Sequence, residues 1–427
     1  MIKTAFITNF FKFYNLIWKL ALPFLKRNRR LRQGFEKRTS FSNLSPADLW
    51  IQAASAGEAY LAVSLLLNLK PRALLRVLVT STTTQGRDIL KSELTPDRIS
   101  QHMDLKIDWF PFDMPDTIRQ AVAVITPKVL VLLETELWPG LLYCLKQRRT
   151  KIVMVNARMS KKSFGRYYKT KFLWEPLAPD LILAISDQDR DRFQMVFKTS
   201  KTRTMPNIKF DCIDRDSSFF TPGRDTITGI LPCPLPLTIL ASIRRQEENQ
   251  VFLMLKKLLE LFPRQVVAVF PRHMGRLPSW EKRLCAHGLK FHLRSALSSP
   301  LTTPGIILWD IFGELKTAYE FASVVFVGGS LKPLGGQNII EPAVQGALTV
   351  TGPYYDDFAW AAEDMIEKGL LIPELSWKAV AKTMAEALEH PVSQEERKTL
   401  VRSHIQSKKG GTLQACDEIL KNFDLLP

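Results

Sequence analysis

From Asp48 onward the chain alternates short apolar runs with segments whose apolar residues recur every three or four positions. "LWIQAAS" predicts a strand and "GEAYLAVSLLLNLK" a helix; "LLRVLVTST" is again β-like and is followed by "TTQGRDILKSEL". "PKVLVLLETELWP" predicts a strand ending in acids, "GLLYCLKQRR" a helix and "KIVMVNARMS" a strand, after which "LILAIS" and a short helix lead to "TRTMPNIKFD". Strand, loop and helix repeated at this spacing predict a doubly wound parallel sheet. "DRDSSFFTPGRDTITGILPCPLPL" breaks the pattern with Pro, Gly, Ser and Asp and reads as a linker. The alternation then restarts with "LTILAS", the helix "EENQVFLMLKKLLELF", "QVVAVFPRH", a helix from about Pro278, "GIILWD", a helix around Phe312 to Phe321, "SVVFVGGS" and "ALTVTGP". Helical sequence closes the chain, from Trp377 to Leu388 and from Ser393 to about Phe423. Two similar α/β halves predict a cleft at facing strand ends, because open sheets of this kind bind ligands beyond the carboxyl ends of their strands.

A length of 427 residues exceeds one ordinary core and agrees with two domains. Hydrophobic content of 46% and a mean hydropathy of −0.05 exclude both a disordered chain and a polytopic membrane protein. The net charge of +17 changes the picture: it implies an anionic partner, whether nucleic acid, anionic lipid or a phosphorylated substrate. Five scattered cysteines form neither a CxxC nor a Cys/His cluster, which supports no zinc site and no disulfide framework. At the N-terminus "FITNFFKFYNLIWKLALPFL" is apolar and aromatic but interrupted by Lys12 and Lys19, and "KRNRRLRQGFEKR" adjoins it. The lysines weaken a full span and no cleavage site follows, so an interfacial helix beside a basic cluster is expected, suited to an anionic cytoplasmic leaflet. A buried amphipathic helix with a solvated basic loop is the alternative.

Several stretches carry chemistry. "SAGE" puts Ser55, Gly57 and Glu58 at a strand-to-helix turn, where Gly57 permits a tight turn and the helix N-terminus favours an ionised Glu58. A first-turn charge that merely suits the helix dipole is the plainer reading of Glu58. In "LLETELWPGLL" Glu134 and Glu136 share a face if the strand persists. "NARMSKKS" offers Asn156, Arg158, Ser160 and Ser163 for anions or sugar hydroxyls. In the second half "VFPRH" places Arg272 and His273 at a strand end, and "IFGEL" opens a helix. "FVGGSLKPLGGQNIIEPAVQGALTVTGP" surrounds the single acid Glu341 with glycine and proline. It reads either as a surface turn or as a backbone cradle for a phosphate or sugar at a helix N-terminus. GxGxxG and GxxxxGK[ST] are both missing, which removes support for a hydride-transfer cofactor and for an ATP-type loop. DxD spacing at Asp187, Asp189 and Asp191, and at Asp214 and Asp216, falls on a helix start and in the linker, so metal chelation there is not favoured.

Taken together, "LRQGFEKR", "SAGE", "ETELWPGLL", "NARMSKKSFGRYYK", "NIKFD", "PRH", "FGEL" and "FVGGSLKPLGGQNIIEP" resemble the Kdo transferases (3-deoxy-D-manno-octulosonic acid transferases). These are membrane-associated glycosyltransferases of the GT-B fold, two Rossmann-like domains facing a cleft. The resemblance implies an anchor and basic segment over 1–30, an acceptor domain over 31–212, a linker over 213–236 and a donor domain with terminal helices over 237–427. It implies an inverting, metal-independent transfer of Kdo from CMP-Kdo to a lipid A precursor (lipid IVA) in lipopolysaccharide synthesis, at the cytoplasmic face of the inner membrane. No cofactor and no nucleic acid is expected. The resemblance makes Glu58 the catalytic base and assigns the nucleotide to Arg272, Gly313, Glu314, Leu315, Asn338 and Glu341. Ser55, Gly57, Glu136, Asn156, Arg158, Lys209, Gly335 and Gly336 are candidates for Kdo, acceptor or phosphate contacts. The chain departs from the family pattern at Arg244 and Arg245 ("ASIRRQEE"), Met274 ("PRHMGRL"), "LWDIFGEL" and Gln337 ("GGQN"). Two other readings remain: a related GT-B enzyme with another nucleotide sugar, and a non-catalytic basic binder of lipid or nucleic acid.

Overall fold

The computed structural model describes residues 2–27, 32–41, 44–217, 227–231 and 234–423. It divides into two compact units, Met1–Ser218 with Lys408–Pro427, and Phe219–Ser407. The first holds a seven-stranded sheet of β1 (Leu49–Ala53), β2 (Leu75–Ser81), β3 (Met103–Trp109), β4 (Val129–Leu133), β5 (Lys151–Ala157), β6 (Leu181–Ala184) and β7 (Lys201–Thr204). The second holds β8 (Leu237–Ile243), β9 (Val266–Pro271), β10 (Phe291–Leu293), β11 (Gly305–Leu308), β12 (Ala322–Val327), β13 (Leu348–Thr351) and β14 (Leu371–Pro373). Strand orders are β3-β2-β1-β4-β5-β6-β7 and β10-β11-β9-β8-β12-β13-β14, and neighbouring strands pair in parallel. The order reverses direction beside β1 in one sheet and beside β8 in the other, the place where such sheets bind ligands.

Central strands are apolar on both faces because helices cover both. β1 and β4 are buried at every position, and β12 is buried at all but one. In the first unit one face packs on the helix Ala56–Asn68 and the other on Pro115–Ile125 and Pro139–Gln147. In the second, Glu248–Leu261 and Trp377–Glu389 pack on each other, the first against β8 and the second against β12 and β13.

Three expectations about chain organisation change. The last helix, Gly411–Leu420, returns to the first unit: Ala415, Cys416, Ile419 and Leu420 join its core, and Asp211 accepts hydrogen bonds from the amide and hydroxyl of Thr412, both at 2.7 Å. The expected donor domain over 237–427 therefore ends near Ser407. Within the expected linker, Ile227, Ile230 and Leu231 are buried, so that part is packed; residues 218–226, 232 and 233 and the side chains of Asp214 and Asp216 lie outside the described residues. The N-terminal helix Ile2–Leu25 is docked along one face. There Phe11 stacks on Tyr143 at 4.0 Å, Tyr14 donates to Asp113 at 3.0 Å, and Lys19 pairs with Asp116 at 2.9 Å. The opposite face leaves Phe13, Leu16, Ile17, Leu20 and Phe24 exposed. Among the described residues no helix is long and apolar enough to cross a membrane. In the adjoining basic segment Lys26, Arg27, Arg32 and Lys37 are exposed. Arg38 is buried, donates to the Phe110 carbonyl at 2.9 Å and lies 4.3 Å from the Phe112 ring, and its desolvation pulls its pKa down to about 10. Arg29 and Arg30 lie outside the described residues.

Candidate active site

Glu58 lies in the first turn of the helix that follows β1, the strand beside the reversal of the first sheet. Ser55 caps that helix and forms a capping box with it: the Glu58 amide donates to Ser55 Oγ at 3.3 Å, and the Ser55 amide donates to Glu58 Oε2 at 3.1 Å. The Ala54 amide donates to the same oxygen. Glu58 is only 7% exposed, and burial followed by the charge of Glu134 raises its pKa. The helix N-terminus was expected to favour the ionised form; desolvation outweighs it here. Gly57 has no tight neighbour, since a Cβ would sit 3.8 Å from Ser55 Oγ. The tightly packed glycine nearby is Gly86, in the helix Thr84–Glu93, where a Cβ would meet Ser81 Oγ at 2.4 Å and the Ser55 carbonyl at 3.3 Å.

Glu134 and Glu136 follow β4, the strand paired with β1. Glu134 turns left-handed at φ +53°, so the chain leaves the extended path and the same-face spacing argument does not apply. The two acids still cluster with Glu58. Burial, the Glu58 charge and the Glu134 charge together push Glu136 up to about 7. Glu134 is paired with Lys209 at 2.6 Å. Asn156, also left-handed at φ +56°, is fully buried, and its Oδ1 accepts from the Ile208 amide at 2.9 Å. It therefore holds the start of the helix carrying Lys209 and is not open to solvent. The Arg158 carbonyl accepts from the Thr135 hydroxyl. Ser160 caps Lys161–Lys169 through the Ser163 amide at 3.1 Å. The first DxD set is also structural: Asp187 and Asp191 hold Arg190, while Asp189 accepts from the Met159 amide at 2.7 Å.

In the first unit sequence reasoning missed one position. Asp113, fully buried and pushed up to about 7 by that burial, accepts from the amides of Gly140 at 2.9 Å and Leu141 at 2.8 Å. A Cβ at Gly140 would meet the Asp113 carbonyl at 2.3 Å, which accounts for the glycine of "ELWPGLL".

In the second unit a cavity of about 350 Å³ is lined by Ser242, Arg272, Leu315, Tyr319, Gly336, Gln337, Asn338, Glu341, Asp357 and Phe358. Arg272, Leu315, Gly336, Asn338 and Glu341, all named from sequence, thus meet around one space. Asn338 Nδ2 donates to Glu341 Oε1 at 2.8 Å, and Asn338 Oδ1 accepts the Ile340 amide at 3.0 Å. Gly335 and Gly336 are left-handed at φ +86° and +80°, and a Cβ at Gly335 would meet Asp357 Oδ2 at 2.4 Å. Two expectations change. Glu314 is buried away from the cavity, accepting from Arg294 Nη2 at 3.0 Å and Trp309 Nε1 at 2.9 Å. Gly313, at φ +92°, turns the loop in open space. In the loop read as a surface turn or a backbone cradle, the amides of Gly329 and Leu331 donate to the buried carboxylate of Glu247. The helix after the loop, Ile340–Val344, has five residues and little dipole. Ser242, Tyr319, Asp357 and Phe358 were not named from sequence. Tyr319 sits inside a helical run that reads as core, and Asp357 becomes visible only through its contact with Gly335.

Two Rossmann-like units, one with an acid at the turn after a central strand and one with a polar, nucleotide-sized cavity, are the plan of a GT-B glycosyltransferase. UDP-GlcNAc 2-epimerase from Neisseria meningitidis, solved with UDP-GlcNAc, shares the fold (TM-score 0.57, 11% identity, 88% of this chain and 99% of that one). Residues 27–212 match the family described as 3-deoxy-D-manno-octulosonic-acid transferase (kdotransferase). The 3-deoxy-D-manno-octulosonic acid transferase of Haemophilus influenzae is 27% identical over 93% of this chain and 93% of its own. A bifunctional glycosyltransferase/methyltransferase of Fusobacterium nucleatum is 28% identical over 83% of this chain, which spans 56% of that longer protein. The first unit thus carries the Kdo transferase family domain, and the chain is similar to a Kdo transferase over nearly its whole length.

Proposed function

We propose that the protein transfers Kdo from CMP-Kdo to a lipid A precursor of the lipid IVA type, with Glu58 as general base. Kdo transfer in lipopolysaccharide synthesis is the activity of the family. The observation that carries the residue assignment is the cavity where Arg272, Asn338 and Glu341 converge. A guanidinium there suits a phosphate, and the paired amide and carboxylate suit ribose hydroxyls. The first unit supplies the base. Its burial and neighbouring acids raise the proton affinity of Glu58 toward the range where a carboxylate removes a hydroxyl proton best. Glu58 takes that proton as the acceptor oxygen attacks the anomeric carbon; the bond to the CMP phosphate breaks on the opposite face, and configuration inverts. Arg272 offsets charge on the leaving phosphate. The exposed apolar face of the N-terminal helix and the lysines and arginines behind it suit an anionic leaflet.

The test is release of CMP. Incubation with CMP-Kdo and lipid IVA in mixed micelles should liberate CMP and add Kdo mass to the lipid. Turnover with UDP- or GDP-sugars and none with CMP-Kdo would replace this reading by the related-enzyme alternative.

A further inference from the structure

Glycine-rich loops after a strand usually leave their amides free for an anion. In this protein an internal side chain takes them. Glu247 is fully buried at the start of the helix Glu248–Leu261, beyond the end of β8. Its Oε1 accepts from the Arg244 amide at 3.0 Å and from the Gly329 amide; its Oε2 accepts from the Leu331 amide at 3.1 Å. One carboxylate thus joins the turn after β8 to the loop after β12, the strand beside it in the sheet. Gly328 fits against this junction, because a Cβ would lie 2.7 Å from the Ala241 and Ser242 carbonyls and 2.9 Å from Glu247 Oε1.

The joined segments lead directly to the cavity walls. The Gly336 amide donates to the Gly329 carbonyl at 3.0 Å, and Gly336 lines the cavity. Ser330 accepts the Gly352 amide on Oγ at 2.8 Å and the Tyr354 amide on its carbonyl at 3.0 Å, and the Asp357 amide donates to Gly335 at 2.9 Å. On the other side the Arg272 amide donates to the Ile243 carbonyl at 2.8 Å, one residue from the bonded Arg244. Ser242, at a left-handed φ of +53°, lines the same wall. The walls carrying Ser242, Arg272, Gly336 and Asp357 are therefore each within a few hydrogen bonds of one buried carboxylate.

We infer that Glu247 is a positioning residue for the donor: it occupies the amide cradle of the glycine-rich loop and so fixes the cavity walls, leaving the phosphate to Arg272. This rests on the nucleotide-site reading above. Gln has a donating nitrogen where Glu247 has an accepting oxygen, so Glu247→Gln opposes at least one amide with another donor. The measurement is CMP affinity by calorimetry together with donor KM and kcat, on the parent, Glu247→Gln and Ser330→Ala. Ser330→Ala loosens the same relay without touching the carboxylate and keeps the question open to refutation if the Gln variant does not fold. Donor KM and CMP Kd should rise about tenfold in Glu247→Gln and about threefold in Ser330→Ala, with kcat nearly unchanged. A purely structural role lowers melting temperature and active fraction but leaves the KM of the folded fraction alone. Unchanged CMP Kd and donor KM in either folded variant, with tight CMP binding by the parent, would overturn the inference alone. Failure of the parent to bind CMP would remove the nucleotide-site reading and the inference with it.

Discussion

Replacing Glu58 with Gln separates its two roles because the structure makes their consequences opposite. As a cap, Glu58 accepts the Ala54 and Ser55 amides on one oxygen, and a glutamine carbonyl can accept both; capping boxes take Gln as readily as Glu. The stability cost should then be at most the loss of a first-turn charge, about 0.3–1 kcal/mol. Burial works the other way. The Glu58 pKa is higher folded than unfolded, so the ionised form destabilises the fold. That penalty is absent below the unfolded pKa, grows as pH rises and is complete above the folded pKa. Neutral Gln never incurs it, so at pH 8 the variant should melt no lower than the parent. As a base, Gln cannot take the hydroxyl proton, and kcat should fall ~10²–10⁴-fold, about 3–5 kcal/mol in the barrier. Donor KM should stay near the parent value, since the cavity proposed for the nucleotide belongs to the other unit. CMP release and thermal melting on one preparation, across pH 5 to 8, measure all three quantities. Turnover within about threefold of the parent would refute the catalytic role; lost turnover with a collapsed melting temperature would refute the cap argument.

Glu136, pushed up from 4.5 to about 7, should cost the fold stability as pH rises through that interval, with a ceiling of about 3 kcal/mol because a half-buried carboxylate keeps some solvent. Glu136→Gln should flatten the pH dependence in denaturant melts between pH 5 and pH 8, and a parallel slope would contradict this. Glu341→Ala should raise donor KM about tenfold with kcat nearly kept, because a ribose contact acts on ground and transition states alike; a kcat loss at constant KM would assign Glu341 a different role. Changing Phe13, Leu16 and Leu20 together to Ser should abolish sedimentation with anionic vesicles without shifting the melting temperature, since these side chains face away from the docked surface. Retained sedimentation would show that this face is not what meets the lipid.

The strands legible in the sequence are those in the middle of each sheet, where both faces are covered and the text is continuously apolar. β3 (Met103–Trp109), at a sheet edge, alternates polar with apolar residues and is legible by that period of two, not as a continuous apolar run. β10 and β14, also edges, have three residues each and little pattern to read. At the cavity of the second unit the nearby motifs were readable, but which glycines face the cavity was not. Gly329 and Leu331 are turned inward by Glu247, a residue about 80 positions earlier, and no local pattern announces that pairing. Likewise the docking of the N-terminal helix depends on Asp113 and Asp116, far along the chain, while its exposed face is legible from its own sequence.

The return of Gly411–Leu420 to the first unit also sets an order of events during synthesis. The first unit leaves the ribosome early, yet the core beneath Ala56–Asn68 lacks Ala415, Cys416, Ile419 and Leu420 until the second unit has already emerged. The half translated second can complete its fold before the half translated first. Until then the nascent chain carries an uncovered apolar strip along Ala56–Asn68, the helix that bears Glu58, and this strip is where a chaperone would be expected to bind.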